Sequence, residues 1–572
     1  MNGLVSVTGI GLICAIGNDT HSVLESLQNK YSGIVPVKYL RTMHQDIPVG
    51  EVKLSTSQMK ATLGIEEKRP VSRTSVLGAI AVREALHQAG ISDIGKKRVA
   101  LISGTTVGVM DLTEEYFERR KTDPTLEYLP HSNECGTSTK EIAEFAGIPN
   151  ARCCTICTAC SSALNAVMIG ADMLQNDEVD VVVAGGSEPL SRYHLNGFNS
   201  LMILDRERCR PFDESRAGLN LGEGAGYVVL QKNAPNSLAY IAGYANRCDA
   251  FHQTATSPQG EGAFLAMTGA LKMAGIQPGD IKYVNAHGTA TLDNDASESA
   301  AFVRVFGDNL PPISSTKAYT GHTTSAAGAV ETVICILAMQ HHFIPASLGW
   351  SHAFLGGIVP SQGASGAELD YVMCNSFGFG GNDSSLILSL HKPTQHNDAQ
   401  KNAAEIKTVA CVSVSKDEDL VRLKDYLSMM DTRRMGKLMK ACLLSAFEAL
   451  KQADISVPDA IVTSTSEGML EFSTRFLNEI CTMKESMLKP TLFMQSTHNT
   501  IGSAIAIRTK CHGYNITYSQ GCDSLCWAER DARRLIERGE AGTVLVCDFD
   551  EKILDDKTSD FRAVTTIFTS DK

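Results

Sequence analysis

The chain contains no apolar run approaching the about eighteen consecutive residues of a membrane-spanning helix, which argues against a membrane span. Positive charge is in deficit: 52 Lys and Arg against 64 Asp and Glu leave a formal net charge of −12. General nucleic-acid binding, which needs a basic surface, is therefore not expected. A secretory signal is also missing. The opening "MNGLVSVTGIGLICAIGN" is apolar, but it has no basic leading region and alternates like a first core strand. The 17 cysteines then imply reduced thiols in a cytoplasmic protein. Aromatics are scarce at 6%, whereas glycines number 47, a composition suited to many tight strand–helix turns. With 43% apolar residues, 572 positions are enough for two to four domains with substantial cores.

Short β-branched runs such as "RVALISGT", "VDVVVAGGSE" and "IKYVNAHGT" alternate with stretches of helical period such as "VLGAIAVREALHQAG" and "AAGAVETVICILAMQHH". That alternation predicts parallel sheets with helices on both faces. The polar, unpatterned stretch "HKPTQHNDAQKNAAEI" marks a linker over 392–406. Beyond it the first part of the chain is echoed. "RTSVLGAIAVREALHQAGI" resembles "KLMKACLLSAFEALKQADI", with Ile91 over Ile455, 364 positions apart. Gly108 falls over Gly468 at 360, Cys160 over Cys522 at 362, and Val182 over Val544 at 362. Four matches in order at a nearly fixed offset indicate a repeat. The expected division is 1–245 and 246–391 as two halves of one unit, 407–555 as a repeat of the first half, and 556–572 as a tail.

"CCTICTACSSALNAV" (153–167) invites two readings. Cys154, Cys157 and Cys160 form a C-x2-C-x2-C run, but the fourth cluster position is Leu164, followed by Asn165, and no second Cys-x2-Cys pair completes a site. Residues 152–158 instead read as a buried strand and "SSALNAVMIGADML" as a helix. Cys160 then falls at the turn between them, where backbone N–H groups and a helix dipole would favour a thiolate nucleophile. Two histidine segments support the nucleophile: "VNAHGTATLDND" places His287 in a loop after a strand, and "STKAYTGHTTSAAGAVE" places His322 just before a helix. Each alone is as well read as a capping or core histidine. Together they give a Cys–His–His set at loops leaving parallel strands, where open α/β sheets bind ligands. Two other patterns are weak. "GEGAGY" has Tyr227 at the third glycine of a dinucleotide loop, and "RRMGKL" (433–438) has the Gly-Lys of a phosphate loop without its leading glycine.

"TACSSALNA", "CRPFDESRAGLNLGEGAG", "VNAHGTAT", "STKAYTGHTTSAAGAVE" and "NSFGFGGND" resemble, in order, the signature segments of the β-ketoacyl-acyl carrier protein synthases, over about residues 3–391. The Cys–His–His set is similar to that of the elongating members. The resemblance implies a thiolase-like αβαβα layered α/β fold with two similar halves, plus a C-terminal thiolase-like half domain. It implies an acyltransferase in fatty acid or secondary-lipid and polyene biosynthesis, joining an acyl-enzyme at Cys160 to malonyl-carrier by decarboxylative condensation. His287 and His322 would donate to the developing enolate oxygen, and the backbone N–H groups of Cys160 and Phe379 to the acyl thioester oxygen. No metal and no cofactor is implied beyond the carrier's phosphopantetheine.

By the same resemblance, Lys317 is the buried active-site lysine, paired with Glu331 and with Asp295 and Glu298. Thr289 and Thr291 hold the pantetheine arm, Phe377 lies in the substrate site, and Phe379 is the gating residue. The acidic carrier would meet Lys68, Arg69, Arg73, Arg119, Arg120 and Lys121. The implied assembly is a homodimer or a pairing with another synthase. Three positions depart from the family pattern: Asn382-Asp383 in place of Thr-Asn, Ser325 in place of glycine, and Ala217 in place of aspartate. The alternative is a non-catalytic chain-length-factor-like scaffold, but such subunits typically lack the cysteine that this chain keeps. The C-terminal repeat resembles synthase-like half domains of polyene and related pathways. It has no partner for the histidine-bearing half, so it reads as a non-catalytic module with an idle Cys522.

Overall fold

Strands alternate with helices along the chain in the computed structural model, which describes residues 4–120, 122, 123, 126, 133–393, 405–553 and 559–570. Fifteen strands join edge to edge in one hydrogen-bonded sheet, which divides into three blocks of five. The first block runs Arg152–Ile156, Val99–Gly104, Val181–Glu188, Gly224–Lys232, Val5–Cys14. The second runs Ala239–Cys248, Asn382–Ser389, Tyr371–Gly378, Tyr283–Asn285, Ile313–Ser314. The third runs Tyr514–Tyr518, Ala460–Ser464, Thr543–Ile553, Ser559–Ser570, Ile406–Val414.

Helices Ser162–Gln175 and Ala327–Gln340 pack on each other and between the first two blocks. Both are apolar nearly all round and buried almost end to end, the pattern of a middle-layer helix. Helix Arg73–Ala89 covers the outer face of the first block and Glu261–Ala274 that of the second. The result is the expected αβαβα layering. Among the described residues no helix is long and apolar enough to cross a membrane.

The third block repeats the first strand for strand. In each, the first three strands pair in parallel and the last two antiparallel. The sequence reading is corrected at its end: residues 559–570, taken as a tail, are the fourth strand of this block, paired on both edges. The alternating "SDFRAVTTIFTS" gives them a buried face and an exposed one, which a strand satisfies and a tail does not. Of the predicted linker, 394–404 lies outside the described residues, and Ile406 already belongs to a strand.

The first and third blocks meet through their end strands, with Ile156 opposite Tyr518 in antiparallel register. Cys157 N–H donates to Thr517 O at 2.9 Å and Ser519 N–H to Thr155 O at 3.0 Å. Thr155 and Thr517, like Cys157 and Ser519, are counterparts at the 362-residue offset. The two bonds are therefore related by a pseudo-twofold axis between the strands. A continuous apolar core crosses this junction, with Tyr193, Leu195 and Phe198 packed among Phe472, Phe476, Phe493 and Ile501.

Candidate active site

Cys160 lies one turn after the strand Arg152–Ile156 and just before the helix that starts at Ser162. The turn is strained: Ala159 has φ +52°, a conformation non-glycine residues rarely adopt. Local hydrogen bonds hold it there. Ser162 Oγ accepts from Thr158 N–H at 2.8 Å and donates to Ala159 O at 2.6 Å, and Asn165 Nδ2 donates to Thr158 Oγ1 at 2.9 Å. The cysteine run does not converge on one point. Cys157 Sγ lies with Cys135 and His498, whereas Cys160 Sγ lies with His287 and His322, within 4.8 Å of both.

His322 Nε2 is 3.1 Å from Cys160 Sγ, and the His287 and His322 rings meet edge to face at 5.3 Å. All three residues are buried. Burial pushes the Cys160 thiol up to about 12, partly offset by Lys317 and by the Phe379 backbone N–H that bonds it. The resting group is thus a thiol, in place of the thiolate expected from the helix dipole; the low-dielectric setting outweighs the dipole. Burial, then the Lys317 charge, holds both histidines well below their ordinary value, so the imidazoles are neutral.

Lys317 Nζ pairs with Glu331 Oε1 at 2.5 Å, both fully enclosed. Burial raises Glu331 to about 7, with Lys317 opposing that rise. Asp295 and Glu298, expected to share Lys317, make no hydrogen bond or ion pair with it among the described residues. Glu298 accepts from the backbone N–H groups of His287 and Gly288 at 2.8 and 2.7 Å. Asp295 accepts from Phe212 and Ala290 N–H at 2.7 and 3.1 Å. Both carboxylates pin the loop that carries His287. The Thr289 and Thr291 hydroxyls share a 2.9 Å hydrogen bond, and the Phe377 ring leans on His287 at 5.9 Å.

Phe379 is half-buried and stacks on Phe198 at 5.7 Å, and Phe198 in turn meets Phe493 of the third block at 5.5 Å. Asn499 Nδ2 donates to Phe379 O and to Asn382 Oδ1, both at 2.9 Å, and Asn382 Nδ2 donates to Asn515 O at 3.1 Å. Asn382, one of the departures from the family pattern, thus joins the gate-bearing loop to the third block. Gly380, with φ +85°, brings this loop so close that an added Cβ would lie 2.1 Å from Ser503 Oγ. Ser325, another departure, donates its hydroxyl to Glu188. Sequence reasoning missed Phe198, Phe493 and Asn499. The unusual Asn382 was the available signal, but nothing in the sequence says which partner an exposed-looking amide will meet.

The residues expected to dock a carrier are largely engaged elsewhere. Arg73 is buried and forked onto Glu223 at 2.6 and 2.8 Å, which removes it from any docking face. Arg120 donates to Asn478 of the third block at 2.6 Å and lies 4.0 Å over Phe117. Arg69 is forked onto Glu144, and Arg119 pairs with Glu115 and Asp123. Lys68 is exposed, and Lys121 lies outside the described residues. Cys522 is exposed at its own turn, beside Asp523.

Residues 3–236 match the model of the beta-ketoacyl synthase N-terminal domain and 238–351 that of the C-terminal domain; a second N-terminal-domain model matches 405–561. Nodulation protein E of Rhizobium meliloti (strain 1021) is 35% identical over 60% of this chain and 88% of its own length. The 3-oxoacyl-[acyl-carrier-protein] synthase 2 of Staphylococcus aureus (strain N315) is 30% identical over 68% of this chain and 98% of its own. Among solved structures, the ishigamide ketosynthase/chain length factor superposes with TM-score 0.63 at 29% identity, covering 68% of this chain and all of that one. The PfaC keto synthase–chain length factor superposes with TM-score 0.78 at 15% identity over 99% of this chain and 78% of that one, a likeness of fold.

Proposed function

The chain belongs to the β-ketoacyl synthases and is a condensing acyltransferase, and from that premise we infer that Cys160, His287 and His322 carry its reaction. The observation that bears most on this is the 3.1 Å approach of His322 Nε2 to the Cys160 thiol, both buried. The carrier-bound acyl group passes to Cys160 Sγ as His322 accepts the thiol proton, and that proton leaves with the departing carrier sulfur. Malonyl-carrier then loses CO2. The enolate oxygen is met by N–H groups of the two histidines, which their neutral state leaves free to donate without a competing charge. Enolate carbon attacks the acyl carbonyl, the 3-oxoacyl-carrier departs, and the Cys160 thiolate takes up a proton. Thr289 and Thr291 stand as hydroxyls for the pantetheine arm.

We assign the third block a structural part in this reaction. It pairs with the edge strand next to the nucleophile and walls the space behind Phe379 through Phe493 and Asn499. That edge strand is already paired, so an identical chain cannot add there. The block thus fills, within one chain, the place of a chain-length-factor-like partner.

The test separates the two half-reactions. His287→Ala is expected to lose about 10²- to 10³-fold in malonyl-carrier decarboxylation with acylation of Cys160 less affected, whereas His322→Ala, which also removes the base for the thiol, should lose in both half-reactions. Cys160→Ala should abolish acylation and Cys522→Ser should leave it intact. Peptide mapping of the acyl thioester checks this, and an acyl group on Cys522 would overturn the assignment.

A further inference from the structure

Outside the active site, the third block encloses a cavity of about 520 Å³ between the turn before helix Lys437–Gln452, helix Leu470–Thr482 and the turn at Lys489. Six cations ring it, Arg433, Arg434, Lys437, Lys440, Arg475 and Lys489, with Glu471 the single carboxylate in its wall. Three of the six are satisfied: Lys437 by Asp417 at 2.7 Å, Arg475 by Glu471 at 3.1 Å and Lys489 by Glu479 at 3.0 Å. Arg433, Arg434 and Lys440 have no carboxylate partner among the described residues. The cavity floor holds Phe472 and Leu492, with the bare backbone of Gly436 against the Phe472 ring. In a protein of net charge −12, three like charges with no counter-charge among the described residues form a local positive field that an anionic surface would offset.

The repeat sharpens the contrast. At the 364-residue offset, Arg433 and Lys437 are the counterparts of Arg69 and Arg73. In the first block those two are closed off by Glu144 and Glu223, and Ser72 caps the helix that follows. In the third block Arg433 has no carboxylate partner among the described residues and Lys437 reaches only the exposed Asp417, and the helix is N-capped at Gly436 with no side-chain cap, adding its N-terminal dipole to the same mouth. "RRMGKL", weak as a phosphate loop, supplies three of the six cations, Arg433, Arg434 and Lys437, and its charge rather than its glycine spacing is what the fold uses.

We propose that this cavity is a docking site for an acidic protein of the carrier class, held by Arg433, Arg434 and Lys440. The proposal rests on the condensing function and assigns the contact with the acidic partner to the third block, since most of the cations anticipated on the synthase are paired or buried.

The experiment uses the full chain carrying Arg433→Glu, Arg434→Glu and Lys440→Glu together. Binding of a holo acyl carrier protein is read by fluorescence anisotropy at graded salt, and Cys160 acylation is read in parallel from an acyl-pantetheine thioester without protein. Three reversed charges should weaken carrier binding by about tenfold or more and flatten its salt dependence. Acylation from the pantetheine thioester should stay at the wild-type rate. Unchanged carrier affinity overturns the docking site. Free phosphopantetheine or inorganic phosphate competing as well as the carrier overturns it too, in favour of a small-anion site. Failure of the wild-type chain to acylate from the pantetheine thioester would instead strike the condensing reading, and equal loss of both readouts in the variant would assign the residues to folding and overturn the proposal.

Discussion

Glu188 is buried within electrostatic reach of Cys160, with Oε2 accepting from Thr106 N–H at 2.7 Å and from the Ser325 hydroxyl. Its Oε1 has no partner among the described residues, and burial pushes the group up to about 8. A carboxyl whose folded value lies above its ordinary 4.5 holds a proton that the unfolded chain releases, so its stabilising share is complete below 4.5 and is lost as pH rises through about 8. Thermal melts should therefore fall between pH 6 and pH 9, and fall less in Glu188→Gln; an identical fall in the variant would assign the pH dependence to other groups. At this scale the sequence was legible where chemistry demands a residue type. Cys160, His287, His322 and the Lys317–Glu331 pair all lie in short, recognisable segments and meet in space. The roles of Asp295, Glu298 and Arg73 were not legible. A carboxylate that binds backbone N–H groups, or an arginine forked onto a distant glutamate, leaves no mark distinguishing it from one that faces substrate or solvent.

Among elements, helix Ser524–Glu537 shows how a half unit stands without its second half. Its counterpart, Ser162–Gln175, is buried between two sheets, whereas Ser524–Glu537 buries Trp527, Ala528, Ala532 and Leu535 and turns Cys526, Arg533 and Glu537 to solvent. The exposed apolar face expected of an orphan half is absent from this helix because the sequence has replaced it with charge. The short segment Pro490–Met494 does the opposite and thrusts Phe493 into the synthase, where an added Cβ at Gly197 would lie 2.3 Å from its ring. If this ring walls the acyl chamber, trimming it opens the chamber. Phe493→Leu is expected to shift products toward longer chains while malonyl-carrier decarboxylation holds at the wild-type rate, measured by mass spectrometry of released acyl groups. An unchanged product distribution would separate the third block from chain length. The repeat itself was readable from offsets, but its fourth strand was not, because Ser559–Ser570 shares pattern rather than residues with Gly224–Lys232.

Over the whole molecule, the synthase unit and the repeat that we read as its structural partner are one covalent object, joined at a strand pair with near-twofold symmetry, with one Cys–His–His set among the described residues. A partner tethered through a short linker acts at an effective concentration on the order of millimolar, far above that of a free subunit in dilute solution. Specific activity should accordingly stay constant as the enzyme is diluted, where a two-chain assembly would lose activity below its dissociation constant; a decline on dilution would show that a second chain is required. The hydrogen bonds between Thr155 and Ser519 and between Cys157 and Thr517 carry one more consequence. In a symmetric pair of identical chains every substitution at the axis is made twice, and both copies must tolerate it. Here each side of the axis is encoded separately, so one wall of the shared boundary can drift in sequence while the other keeps the residues that chemistry requires.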